Sequence, residues 1–165
     1  MNPMEPIPMS PSPSQRSAFG DQLFDSLAAL PGSQRFTADQ LEVIYALAYA
    51  HVTQRQYAQA LRMFAFLSLY GPTRKHYLAG LALCLQMQAR YDEAIRIYSL
   101  IETLFPVAPD AMLRVAECQL ALADAPAART SLQMVADYAQ ANAADSALGE
   151  RARSLLAMTE KEARP

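Results

Sequence analysis

The first periodic run of apolar side chains lies between Ala18 and Leu30. Phe19, Leu23, Phe24, Leu27 and Leu30 recur at threes and fours and share one helical face, while Asp21, Gln22, Asp25 and Ser26 lie elsewhere. Pro31-Gly32-Ser33 ends that helix. A second start follows at once. Thr37 stands three residues before Gln40, the spacing of a capping box, and Phe36 and Leu41 flank the cap as a hydrophobic staple. From there to the C-terminus apolar residues keep the helical spacing, alanine is abundant, and no stretch alternates as a strand would. The pattern predicts an all-α domain over 18–162. Ahead of it, residues 1–17 hold five of the 11 prolines (Pro3, Pro6, Pro8, Pro11, Pro13) and four serines, which reads as a disordered Pro/Ser-rich arm.

The helical body repeats itself. Tyr57-x-x-Ala60-x-x-x-Phe64 returns 34 residues later as Tyr91-x-x-Ala94-x-x-x-Tyr98, and again as Ala125-x-x-Ala128-x-x-x-Leu132; Pro72 and Pro106 keep the same interval. A 34-residue period with fixed small, aromatic and proline positions is the tetratricopeptide signature of two antiparallel helices per unit. With Leu41 as position 1 the units are 41–74, 75–108 and 109–142. Ile44, Leu47 and Ala48 then occupy the inward slots of the first, Leu78, Leu81 and Ala82 of the second, and Met112, Val115 and Ala116 of the third. Small residues at the eighth and twentieth positions let the helices of a unit approach closely, and three units suffice to bury a continuous core. Residues from about 145 to 161 carry Leu148, Ala152, Leu155 and Leu156 on one face and are expected to form a C-terminal capping helix.

In such a stack the first helix of each unit lines a concave side, with positions 2, 5, 9 and 12 facing the groove. The first unit contributes Glu42, Tyr45, Tyr49 and Val52, the second His76, Ala79, Leu83 and Gln86, the third Asp110, Leu113, Glu117 and Leu120. Tyr45 and Tyr49, four apart, share a face. A tyrosine stripe at this spacing is commonly core, yet the core slots are already taken, so the register points to a groove for an extended peptide with apolar side chains. His76, at the groove edge, is either a ligand contact or a solvated histidine; His51, in the consensus tyrosine slot, is a packing residue.

Composition narrows the function. Fourteen Lys and Arg against 16 Asp and Glu leave a net charge of −2, which disfavours nucleic acid and anionic membranes as partners. No apolar run reaches the roughly 18 residues of a membrane span, and Met1 to Gln15 has neither the basic nor the apolar region of a signal peptide, so a cytoplasmic location is expected. Cys84 and Cys118 both fall at position 10 of their units, where buried small side chains belong, and with two histidines they form no recognisable metal set. Nucleotide-binding, serine-hydrolase and zinc-protease motifs are absent, so no catalytic activity, cofactor or metal is expected.

The run Leu41-Glu-Val-Ile-Tyr45-Ala-Leu-Ala with Gln56-Tyr57-Ala-Gln-Ala60, the run Leu81-Ala-Leu-Cys84-Leu-Gln86 with Tyr91-Asp-Glu-Ala94-Ile, and Ala116-Glu117-Cys118 together resemble the class II chaperones of bacterial type III secretion over roughly 20–140. A short helix before three repeats and a helix after them fit the same family. The resemblance implies a cytoplasmic bacterial chaperone that holds hydrophobic translocator proteins before export, with an extended Pro- and Leu-containing segment in the groove. It implies groove contacts at Tyr45, Tyr49, Val52, Leu83, Gln86 and Glu117, to which the repeat register adds His76 and Leu113. Members commonly dimerise through the N-terminal helix region, here Phe19, Leu23, Phe24 and Leu27, and several act with a transcriptional activator. That stripe could instead pack on the chain's own first repeat. The other reading of the sequence is a generic tetratricopeptide scaffold that joins partners in a different assembly.

Overall fold

The computed structural model describes residues 13–162. Residues 1–12, the greater part of the expected arm, lie outside it. All the regular elements within it are helical: α1 (Pro13–Ala28), a 3-10 turn (Pro31–Gln34), α2 (Ala38–Thr53), α3 (Tyr57–Tyr70), α4 (Lys75–Met87), α5 (Tyr91–Leu104), α6 (Pro109–Ala121), α7 (Ala125–Ala141), a second 3-10 turn (Ala143–Asp145) and α8 (Ser146–Glu162). From α2 to α8 each helix packs on the next in chain order, the arrangement of a tetratricopeptide solenoid.

Local chemistry accounts for the helix ends. Thr37 caps α2 with a full capping box: its hydroxyl accepts from the Gln40 N–H at 3.2 Å, and the Thr37 N–H donates to the Gln40 side chain at 2.9 Å. The turns inside the three pairs share one device, again at intervals of 34. Arg55, Ala89 and Ala123 adopt φ of 59°, 59° and 60°. The N–H of the following residue reaches back to the carbonyl of His51, Leu85 or Gln119. This is the Schellman closure, made with residues other than the glycine that usually supplies positive φ.

The repeat register predicts the core closely. Position 8 of each unit (Ala48, Ala82, Ala116) and position 20 (Ala60, Ala94, Ala128) are fully buried, and the ring or aliphatic positions Phe64, Tyr98 and Leu132 beside them are buried too. Helix crossings this close require small residues at the contact. Gly80 belongs to the same logic: a Cβ there would come within 2.2 Å of the Phe64 ring. Burial raises the thiols of Cys84 and Cys118 to about 11, and both are small core side chains, as their shared position implies.

Three expectations need correction. The first helix starts at Pro13 instead of Ala18, because proline costs nothing in the first turn, where its missing N–H has no partner to lose. Leu47 is 52% exposed although its slot faces inward in the other units. The described helix ahead of the first pair, α1, packs chiefly on α5 and leaves this slot uncovered. Finally, the α1 stripe finds its partner within the chain, on the second repeat. Leu23, Phe24 and Leu27 join the apolar cluster of α4 and α5, Phe24 meets Phe105 edge-on at 6.0 Å, and Gly20 lies against the Thr103 carbonyl.

Candidate functional site

The concave face is built by α2, α4 and α6. At its first end Tyr45 is half-buried and sits among rings: Phe64 at 6.0 Å, Tyr77 at 5.8 Å and His76 at 4.8 Å. It therefore serves core and surface together. Tyr49 lies 6.3 Å from Tyr45 and is 56% exposed, the aromatic surface a ligand could cover. Val52 is half-buried in the same cluster, and His76 is exposed.

Glu42 organises this end. One of its oxygens accepts from the hydroxyl of the fully buried Tyr77 at 2.7 Å, lies 3.1 Å from His76 Nε2, and is 3.8 Å from Arg74. The tyrosine hydrogen bond holds the Glu42 carboxyl below its ordinary range, helped by His76 and Arg74 and opposed by partial burial. Burial and the same bond push the Tyr77 phenol upward.

Midway along the face, Leu83 is half-buried and lines a cavity of about 220 Å³ with Ala79, Tyr98, Ile101, Asp110, Ala111 and Arg114. The Tyr98 hydroxyl donates to Gln86 at 3.0 Å. Gln86 in turn points its amide at Glu117, 3.4 Å away. Arg114 reaches Glu117 at 3.1 Å, and Arg151 of α8 pairs with its other oxygen. Lys75 bonds Asp110 at 3.1 Å, tying α4 to α6.

Of the eight expected groove residues, seven keep some or all of their exposure to solvent. Leu113 does not. It is buried with Ala116, Leu132 and Val135 under α8, whose Ala152 completes that cluster. The capping helix shares this cluster and packs on α6 beside it. The repeat positions also missed Lys75, Arg114 and Arg151. Arg114 stands where the first two units carry Ala46 and Gly80, a signal visible in the sequence, whereas Arg151 lies outside the repeat and had none. Among the described residues no cluster of three His, Cys, Asp or Glu could hold a metal, and no helix is long and apolar enough to cross a membrane.

A tetratricopeptide-repeat family profile matches residues 110–141, the third helix pair. The chaperone protein SicA of Salmonella dublin, Salmonella typhi and Salmonella typhimurium is 28% identical over 97 residues, 59% of this chain, and the match spans 59% of SicA's own length. Among solved structures, PcrH of Pseudomonas aeruginosa in complex with the chaperone binding region of PopD superposes with a TM-score of 0.73 at 26% identity, over 79% of this chain and 98% of PcrH. SycD, the type III secretion translocator chaperone of Yersinia enterocolitica, gives 0.69 at 25% identity, over 74% and 91%. In sequence and fold the chain is similar to class II type III secretion chaperones, the resemblance its repeats carry.

Proposed function

We propose that this chain is a cytoplasmic chaperone of a bacterial type III secretion system, that it has no catalytic role, and that it keeps a hydrophobic translocator from aggregating before export. The observation that carries the reading is the likeness over nearly the whole of PcrH, a protein solved with a chaperone binding region of its partner in place. On this chain the partner's extended segment would lie along Tyr45, Tyr49, Val52, His76, Leu83, Gln86 and Glu117. The half-exposed tyrosine pair supplies rigid aromatic area at one end and the cavity beside Leu83 receives a side chain further along. A homodimer belongs to the same reading. Phe19, 55% exposed, and Leu30, 47% exposed, leave apolar surface on the N-terminal stripe for a second copy, while Leu23, Phe24 and Leu27 are half-buried.

Co-expression tests it. A translocator from the same genome that is insoluble alone should become soluble and co-purify with the chain. Tyr45→Ala with Tyr49→Ala should retain the helical signal while weakening capture, since truncating an aromatic anchor costs on the order of 2 kcal/mol, about thirtyfold in affinity. Capture within threefold of wild type would remove the groove assignment.

A further inference from the structure

The sixth position of the first two units is small, Ala46 and then Gly80, whereas the third carries Arg114. That exchange turns an apolar wall into a charged rim. Arg114 borders the cavity whose floor is Ala79, Leu83, Tyr98, Ile101 and Ala111. It is held in place by Glu117, which is only 13% exposed and also binds Arg151 of α8. Glu117 is itself fixed from below, through Gln86, by the buried Tyr98. One carboxylate thus positions two arginines that remain substantially exposed, at 44% and 60%. The sum is unbalanced: two positive charges and one negative meet here, while the other acid at the cavity, Asp110, is matched by Lys75.

On the reading that the groove holds an extended segment, we propose that this cavity takes an aliphatic side chain and that the pair Arg114 and Arg151 selects for a carboxylate beside it in the bound chain. Charge complementarity argues for this occupant. A lysine at that place would face a net positive rim, while a glutamate or aspartate would face two guanidinium groups already oriented, with little further ordering needed. Rim charges of this kind act on partner choice and on salt dependence more than on total affinity.

Three fluorescein-labelled peptides of the form Ser-Pro-Z-Leu-Z-Ser-Pro-Ser, with Z as glutamate, glutamine or lysine, test this on the full chain by fluorescence anisotropy. The glutamate peptide should bind at least about tenfold more tightly than the lysine peptide in low salt, with glutamine between them, and the spread should shrink in about 0.5 M salt. Arg114→Glu should reverse the order, an outcome that loss of folding would not produce. Arg151→Gln should narrow the spread. Equal affinity for the three peptides, or a lysine preference in the wild type, overturns the charge selection and leaves the groove standing. Failure of all three to bind overturns the groove reading and the selection with it.

Discussion

Tyr77→Phe isolates a single oxygen. The Tyr77 ring is fully buried and keeps its packing when the hydroxyl is removed, so neither cavity nor strain enters. What disappears is the 2.7 Å bond from that hydroxyl to Glu42, which joins the second repeat to the first. A hydrogen bond to a charged group contributes about 1.5–3 kcal/mol. Glu42 is 44% exposed and water can take over part of the interaction, which brings the expected loss to about 1 kcal/mol at pH 7. The pH dependence is the sharper test. The bond is the largest influence lowering the folded-state value of Glu42. Its ionic contribution is therefore complete above the ordinary carboxylate value of about 4.3 and fades as the pH falls through the lower folded value. Urea unfolding followed by far-ultraviolet circular dichroism, at pH 7 and again near pH 3, should show a lowered midpoint with unchanged slope at the first and a smaller difference at the second. An equal loss at both values, or none at pH 7, would refute the assignment of the bond to an ionised Glu42.

Other perturbations have equally definite outcomes. Gly80→Ala drives a Cβ into the Phe64 ring and should lower stability by about 1–3 kcal/mol, despite alanine's better helix propensity; an unchanged melting temperature would contradict the close crossing of α3 and α4. Ala89→Gly and Ala123→Gly each relieve a left-handed backbone, worth about 1 kcal/mol or more, against a smaller entropic cost in the unfolded chain. Each should therefore raise stability by about 0.5 kcal/mol in denaturant titrations. Phe24→Ala should loosen α1 at a cost of about 2 kcal/mol, half-buried as the ring is, and hydrogen exchange should quicken in α1 while α6 and α7 keep their protection.

Much of this was open to inspection in the sequence, for identifiable reasons. The alanines at positions 8 and 20 announce themselves because a close helix crossing tolerates nothing larger, and all six are buried. Thr37 and Gln40 likewise state their own bond, since a capping box is local. The failures concern what lies on the other side of a surface. An apolar stripe on a short helix says that it must dock, and its sequence does not say where: α1 chose α5. Leu47 fills an inward slot of the repeat, yet a slot is inward only when a preceding helix covers it. Leu113 fell from groove to core because α8, outside the repeating pattern, shares its cluster. Arg151 belongs to that same helix, and a register counted in units of 34 cannot reach it.

The landing of α1 on the second repeat also sets a timetable. In a solenoid each unit can form against its neighbour, so contacts stay local and folding spreads along the chain. Phe24 and Phe105 break that rule, standing 81 positions apart in the sequence. During synthesis α1 leaves the ribosome first, but the seat it needs, the end of α5 at Thr103 and Phe105, emerges some eighty residues later. At a rate of about 5–20 residues per second, Leu23, Phe24 and Leu27 wait several seconds without their partner, and a helix of this length is only marginal on its own in water. The N-terminal helix is thus made well before its seat exists, and the newborn chain carries, for that interval, an uncovered apolar stripe of its own.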